Sequence, residues 1–254
     1  MSSSSQFDDQ GFLVVNGTPG IAPAVILLAA QRKATVVFTS LRGCEAEAEQ
    51  VVAQARAAGL SDRVSFIITD LADEEAVEQL VDTALERLPS LNVLVHNLEP
   101  IAVLEHKPLV DISLTEWNRV LSSELGVPFV LARRTIEEFL VGQVRGRIVY
   151  IAYCGSEPMT VPASYAAART GLRGLVRCIT KEFGRREMGC NAVVIHRDGR
   201  TTFPSLTELP QINSEAGHLA ATPIELVETV LFFASSEASF INGEFLDISS
   251  RRAI

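Results

Sequence analysis

Tyr165 and Arg169 are the residues whose types and spacing most directly suggest chemistry in this chain. They lie four apart in a run of small residues, SYAAARTGL at 164–172, that reads as helix. Four residues make about one turn, so the phenol and the guanidinium project from the same face. A fixed cation beside a phenol favours the phenolate, and a tyrosine so placed can exchange a proton with a bound substrate. Such a device also needs a second polar group to orient the substrate oxygen and a cavity to hold the reacting partners. Tyr153 and Ser156, in the stretch before the helix, are the nearby hydroxyl donors.

The elements that must position this pair alternate along the chain. Apolar, strand-like runs occupy 12–16 (FLVVN), 34–39 (ATVVFT), 64–69 (VSFIIT), 92–96 (NVLVH), 147–151 (RIVYI), 191–195 (NAVVI) and 244–248. Helical patterns fill 21–31, 45–58, 73–88, 115–125, 128–141, 164–186 and 223–235, with an irregular stretch at 197–220. Asp73 to Glu75 suit a helix start, and Thr222 before Pro223 reads as a cap followed by proline at the first helical position. The first strand runs into Gly17-Thr18-Pro19-Gly20 and then a helix, the opening of a nucleotide-binding unit. Buried strands separated by helices predict an α/β fold: a single Rossmann-like, doubly wound parallel sheet with helices on both faces. Residues 1–10 read as a disordered lead-in, leaving 11–254 as one domain.

Composition narrows the partners. A net charge of -9 argues against nucleic acid and anionic membranes, and no apolar run reaches spanning length. Cys44, Cys154, Cys178 and Cys190 have no metal-ligand spacing, and the histidines do not cluster, so no metal is expected. His96 reads as a hydrogen-bonded loop residue, Trp117 as packed on its helix, and Arg133, Arg134, Arg185 and Arg186 as solvated or interface charges. The expected location is cytoplasmic.

The order of these parts resembles the short-chain dehydrogenase/reductase superfamily from about residue 12 to 248. The strand–glycine–helix start, the Asp70-Leu71 pair, VLVHN at 93–97, the tyrosine helix and TPIELVETVLFFAS at 222–235 leading into INGEFLDI carry the resemblance. The positions that bear the family's chemistry depart from its pattern. The glycine turn is one residue shorter, with Ala22 for the last glycine and prolines at 19 and 23 that lack N–H donors. The family's NNAG reads His96-Asn97-Leu98-Glu99, its structural asparagine falls on Glu124, and its serine aligns with Ala152 or Tyr153. Its lysine is Arg169, which keeps the charge but presents a broad planar fork. Its PG turn becomes His196-Arg197-Asp198-Gly199, and its C-terminal DGG becomes Ser249-Ser250-Arg251. Thr39, Ser40 and Arg42 resemble the 2′-phosphate site of members that prefer NADP, and Asp70 would meet an adenine or cap the next helix.

The resemblance therefore implies a degenerate member in which Tyr165 and Arg169 are a remnant pair. Gly17, Gly20, Arg42, Asp70 and Asn97 are altered cofactor positions, and no cofactor is expected unless an open cleft admits NADP. The implied function is a pseudoenzyme subunit that supports an active paralogous NAD(P)-dependent alcohol dehydrogenase. It is similar to the inactive subunit of the hetero-oligomeric benzylsuccinate-pathway dehydrogenase. Ala166, Ala167, Ala168, Gly171 and Gly174 make the tyrosine helix a candidate interface, with the paralogue or with a second copy. Two alternatives share the fold: a cofactor-independent, haloalcohol-dehalogenase-like enzyme using Tyr165 and Arg169, and an atypical NADP oxidoreductase with Ser156 or Tyr153 as replacement donor.

Overall fold

The computed structural model describes residues 6–98, 107–155, 162–197 and 222–248. Seven strands form one parallel sheet: β1 (Gly11–Val15), β2 (Thr35–Leu41), β3 (Val64–Thr69), β4 (Val93–Leu98), β5 (Arg147–Gly155), β6 (Gly189–Arg197) and β7 (Phe245–Ile248). Their order in space is β3-β2-β1-β4-β5-β6-β7, so the winding reverses between β1 and β4. A crevice at the carboxyl ends of the strands opens at such a reversal.

Alternate residues of each strand enter different layers, because successive side chains point to opposite faces. Phe12, Val14, Val95, Ile151 and Val193 pack under α1 (Ala22–Gln31), α2 (Glu45–Ala57) and α7 (Pro223–Ala234). Leu13, Val15, Leu94, Ile148 and Tyr150 pack under α3 (Glu74–Leu85), α5 (Val127–Val141) and α6 (Ala163–Phe183). At about 1.5–3 kcal/mol for each fully buried large side chain, these two layers are the main favourable contribution to the fold.

The caps are built from the residues the sequence marks. Thr222 and Glu225 exchange hydrogen bonds around Pro223 at the start of α7. Asp73, not Asp70, caps α3, accepting from the Glu75 and Ala76 amides. The Asp70 carboxylate instead accepts from the Ala72 amide in the turn before it.

Several expectations change. Phe7 is fully buried edge-on against Phe12, and its amide donates to the Arg32 carbonyl, so this residue of the stretch before β1 packs into the core while Asp8 and Asp9 stay exposed. The helices expected at 115–125 and 128–141 are continuous: α4 (Leu114–Leu121) passes through a π-helical turn at Ser122–Gly126 into α5. Pro128 explains the turn, since it cannot donate to the Glu124 carbonyl and its ring would crowd it; the Val127 amide bonds back to Ser122 instead. Arg133 and Arg134 are not simply solvated: they pair with Glu78 and Asp82, tying α5 to α3. His96 lies within β4 and is 2% exposed, not in a loop.

Candidate active site

Tyr165 and Arg169 share one face of α6, as their spacing requires, and that face meets the carboxyl ends of β4 and β5. The Tyr165 hydroxyl donates to the Tyr153 carbonyl (2.7 Å) and accepts from Arg169 Nη2 (2.7 Å). The guanidinium carbon lies 4.6 Å from the centre of the Tyr165 ring. The same Nη2 donates to the Leu98 carbonyl at 2.7 Å and lies 2.8 Å from Glu124 Oε2. The carboxylate contact is an ion pair whose angles miss those of an aligned hydrogen bond. Arg169 Nε and Nη1 are buried without a hydrogen-bond partner among the described residues.

Glu124 stands where the superfamily's structural asparagine falls, and only the tertiary structure places it beside Arg169. The π turn carries it inward until its side chain is 8% exposed, beside an Arg169 side chain 11% exposed. Burial pushes the Glu124 carboxyl up, and Arg169 offsets part of that rise. The signals that could have found this pair are the acid where a neutral residue is usual and Pro128 four residues on.

Of the two expected replacement donors, Tyr153 does not bring its phenol to the pair. Tyr153 is buried, with its side chain in the layer under α1 and α7, on the sheet face away from α6; its carbonyl, not its phenol, reaches Tyr165. Ala152, at the serine position, is buried between β4 and β6 partners Leu98 and Val194. Ser156, Glu99, Asp198, Gly199 and Ser249 to Arg251 lie outside the described residues.

At the winding reversal, the cofactor positions are tied to one another. Asn97 Nδ2 donates to the Asn16 carbonyl (3.0 Å) and the Pro19 carbonyl (3.0 Å), while Asn16 Nδ2 donates to the Asn97 carbonyl (3.2 Å). The Thr39 hydroxyl accepts from the Asn16 amide, and the Ser40 hydroxyl donates to the Cys44 carbonyl. Gly17 is closely packed: a Cβ there would lie 2.8 Å from Phe38 atoms and 3.0 Å from Ile26 Cδ1, and its amide donates to the Thr39 carbonyl. Gly20 holds a φ of 65° that favours glycine. Arg42 is exposed at the end of β2.

A dinucleotide phosphate needs backbone N–H groups at this turn. Pro19 and Pro23 have none, the Gly17 amide is taken, and Asn97 Nδ2 and the Thr39 and Ser40 hydroxyls are engaged within the chain, while Asn97 Oδ1 is buried without a hydrogen-bond partner among the described residues. The turn therefore offers a pyrophosphate fewer N–H donors than the superfamily's pattern, and Leu98 is packed in the layer under α5 and α6.

Comparison with known proteins extends over the same span. A family model described as Enoyl-(Acyl carrier protein) reductase matches residues 15–250. The chain is 30% identical to a hexahydroindene-carboxyl-CoA reductase of Mycobacterium tuberculosis, covering 91% of this chain and 87% of that protein. It is 29% identical to the cis-4-hydroxycyclohexanecarboxylate dehydrogenase of Sinomonas cyclohexanicum, over 95% and 96% of the two chains. Among solved structures, a short chain dehydrogenase from Mycobacterium smegmatis superposes with a TM-score of 0.78 at 27% identity, covering 98% of this chain and 95% of the other. The two-faced parallel sheet, the tyrosine helix and these matches along the whole domain establish that the chain belongs to the short-chain dehydrogenase/reductase superfamily.

Proposed function

We propose that this chain is a non-catalytic subunit that assembles with and supports an active, paralogous NAD(P)-dependent alcohol dehydrogenase. The observation that carries the reading is the engagement of the tyrosine pair: Tyr165 donates to the Tyr153 carbonyl and Arg169 is matched by Glu124. A general acid must be able to turn its proton to a substrate, and here the backbone already accepts it. Ala152 at the ungapped serine position and the two prolines in the glycine turn support the same reading. Relatives named as reductases and dehydrogenases support redox chemistry for the assembly as a whole. The inactive subunit of the benzylsuccinate-pathway dehydrogenase is the pattern for this division of labour.

Fluorescence titration with NADPH and NADH, alongside co-expression with a paralogue, tests the proposal. The expected result is no saturable binding at micromolar dinucleotide and a stable complex with the paralogue. Saturable NADPH binding with turnover abolished by Tyr165→Phe would overturn it in favour of an atypical NADP oxidoreductase, in which the exposed Arg42 meets the 2′-phosphate. Halide release from a vicinal haloalcohol, lost in the same variant, would instead establish the dehalogenase reading.

A further inference from the structure

We propose that Glu124 is a built-in counterion for Arg169: its carboxylate neutralises the guanidinium, and the Tyr165–Arg169 pair is held as a neutral strut between elements in place of an acid/base couple. The inference rests on the non-catalytic reading and supplies its physical cause.

The geometry converges on one nitrogen. Arg169 Nη2 meets the Leu98 carbonyl at the end of β4, the Tyr165 hydroxyl one turn earlier on α6 and Glu124 from the π turn, all within 2.8 Å. The site is enclosed, so a guanidinium without an anion would carry a large desolvation cost. Glu124 is in turn almost fully buried, and its Oε2 has no other partner among the described residues. Each charge therefore requires the other.

The surrounding groups leave this balance intact. From β4, His96 is buried and neutral, and from β5 the contact is the Tyr153 carbonyl, which carries no charge. On α6 the buried charge is Arg169 itself, and Arg173 one turn on is exposed, over the Phe245 ring. The field at the phenol oxygen is then set by the guanidinium and the carboxylate together, and an anion on the same nitrogen cancels much of what the cation would do. Two departures from the superfamily pattern, glutamate for asparagine and arginine for lysine, meet at this contact. The usual pattern leaves a net positive charge beside the tyrosine; among the described residues of this chain, Glu124 balances it.

Ultraviolet difference spectroscopy tests the proposal. At an alkaline pH where tyrosine begins to ionise, the phenolate contributed by Tyr165 is the difference between a protein and its Tyr165→Phe counterpart. In Glu124→Gln this fraction is expected to rise about tenfold over the unmodified chain, the effect of uncovering one neighbouring cation. An unchanged fraction in folded Glu124→Gln overturns the proposal. Because that variant strands a buried cation, a denaturation cycle of Glu124→Gln, Arg169→Gln and the double variant provides a second test. Arg169→Gln, which strands the buried carboxylate, is expected to lower the folding equilibrium constant about a hundredfold or more, and the double variant to recover most of that loss. Simple additivity overturns the counterion role. Dinucleotide binding by the unmodified chain tests the non-catalytic reading separately, so either idea can fail alone.

Discussion

His96 shows how position can invert a residue's expected behaviour. On an exposed loop its imidazole would titrate near 6.5; in β4, burial first and Arg169 second lower it to about 3. The unfolded chain therefore takes up this proton as pH falls through about 6.5, whereas the folded chain resists it until about 3. Stability from this residue is complete above that window and is lost through it on acidification, at a slope of up to about 1.4 kcal/mol per pH unit. His96→Asn is expected to flatten the acid limb of a plot of urea midpoint against pH; an unchanged limb would show that other groups control it. Glu124 acts in the opposite sense, because its raised carboxyl binds a proton more readily folded than unfolded. At this scale the Tyr165–Arg169 contact was legible from spacing alone, because both ends lie on one turn of α6. The Asp70 assignment was not, since two acids near one helix start compete for the cap and only the backbone path chooses Asp73.

The turn between β1 and α1 carries the clearest consequence for whole elements. Its glycines suggest a phosphate cradle, yet Gly17 is required by the side chains beneath it, where Phe38 and Ile26 close over the position a Cβ would take. Gly17→Ala is therefore expected to lower stability by about 1–3 kcal/mol through overpacking, read as a fall in denaturation midpoint with no dinucleotide added. A neutral result would return this glycine to a ligand-binding role. The helix carrying Glu124 teaches a related lesson. A proline inside an apolar helical pattern reads as a break, but here the chain absorbs it as a π turn and continues, because α4 is held by its Ser113–Glu116 capping box and α5 by its packing in the core. That wider turn places a charge in the interior.

Across the whole molecule, the two-layer core explains how a doubly wound sheet survives changes in its site: the apolar layers lie along the strands, whereas the altered positions lie at their carboxyl ends. The outer face of α6 exposes Ala166, Thr170, Arg173, Gly174, Arg177 and Cys178, and a Cβ on Gly174 would meet nothing within 4 Å. Gly174→Ala is expected to stabilise the isolated chain by up to about 1 kcal/mol, since it removes backbone freedom at no steric cost. If a partner helix approaches this face, Gly174→Trp weakens the assembly without unfolding the chain, measurable as a loss of mass by light scattering; an unaffected assembly places the partner elsewhere. The sequence by itself determined the alternation of strands and helices, their two-sided burial, the cap of α7 and the facing of Tyr165 toward Arg169. These follow from local periodicity and hydrogen bonding within a few residues. Only the tertiary structure decided that the Tyr165 proton goes to the Tyr153 carbonyl, that the Tyr153 phenol lies on the other face of the sheet, and that Glu124 is the anion opposite Arg169. Those contacts join elements distant in the chain, and sheet order, strand parity and the π turn together bring them within reach.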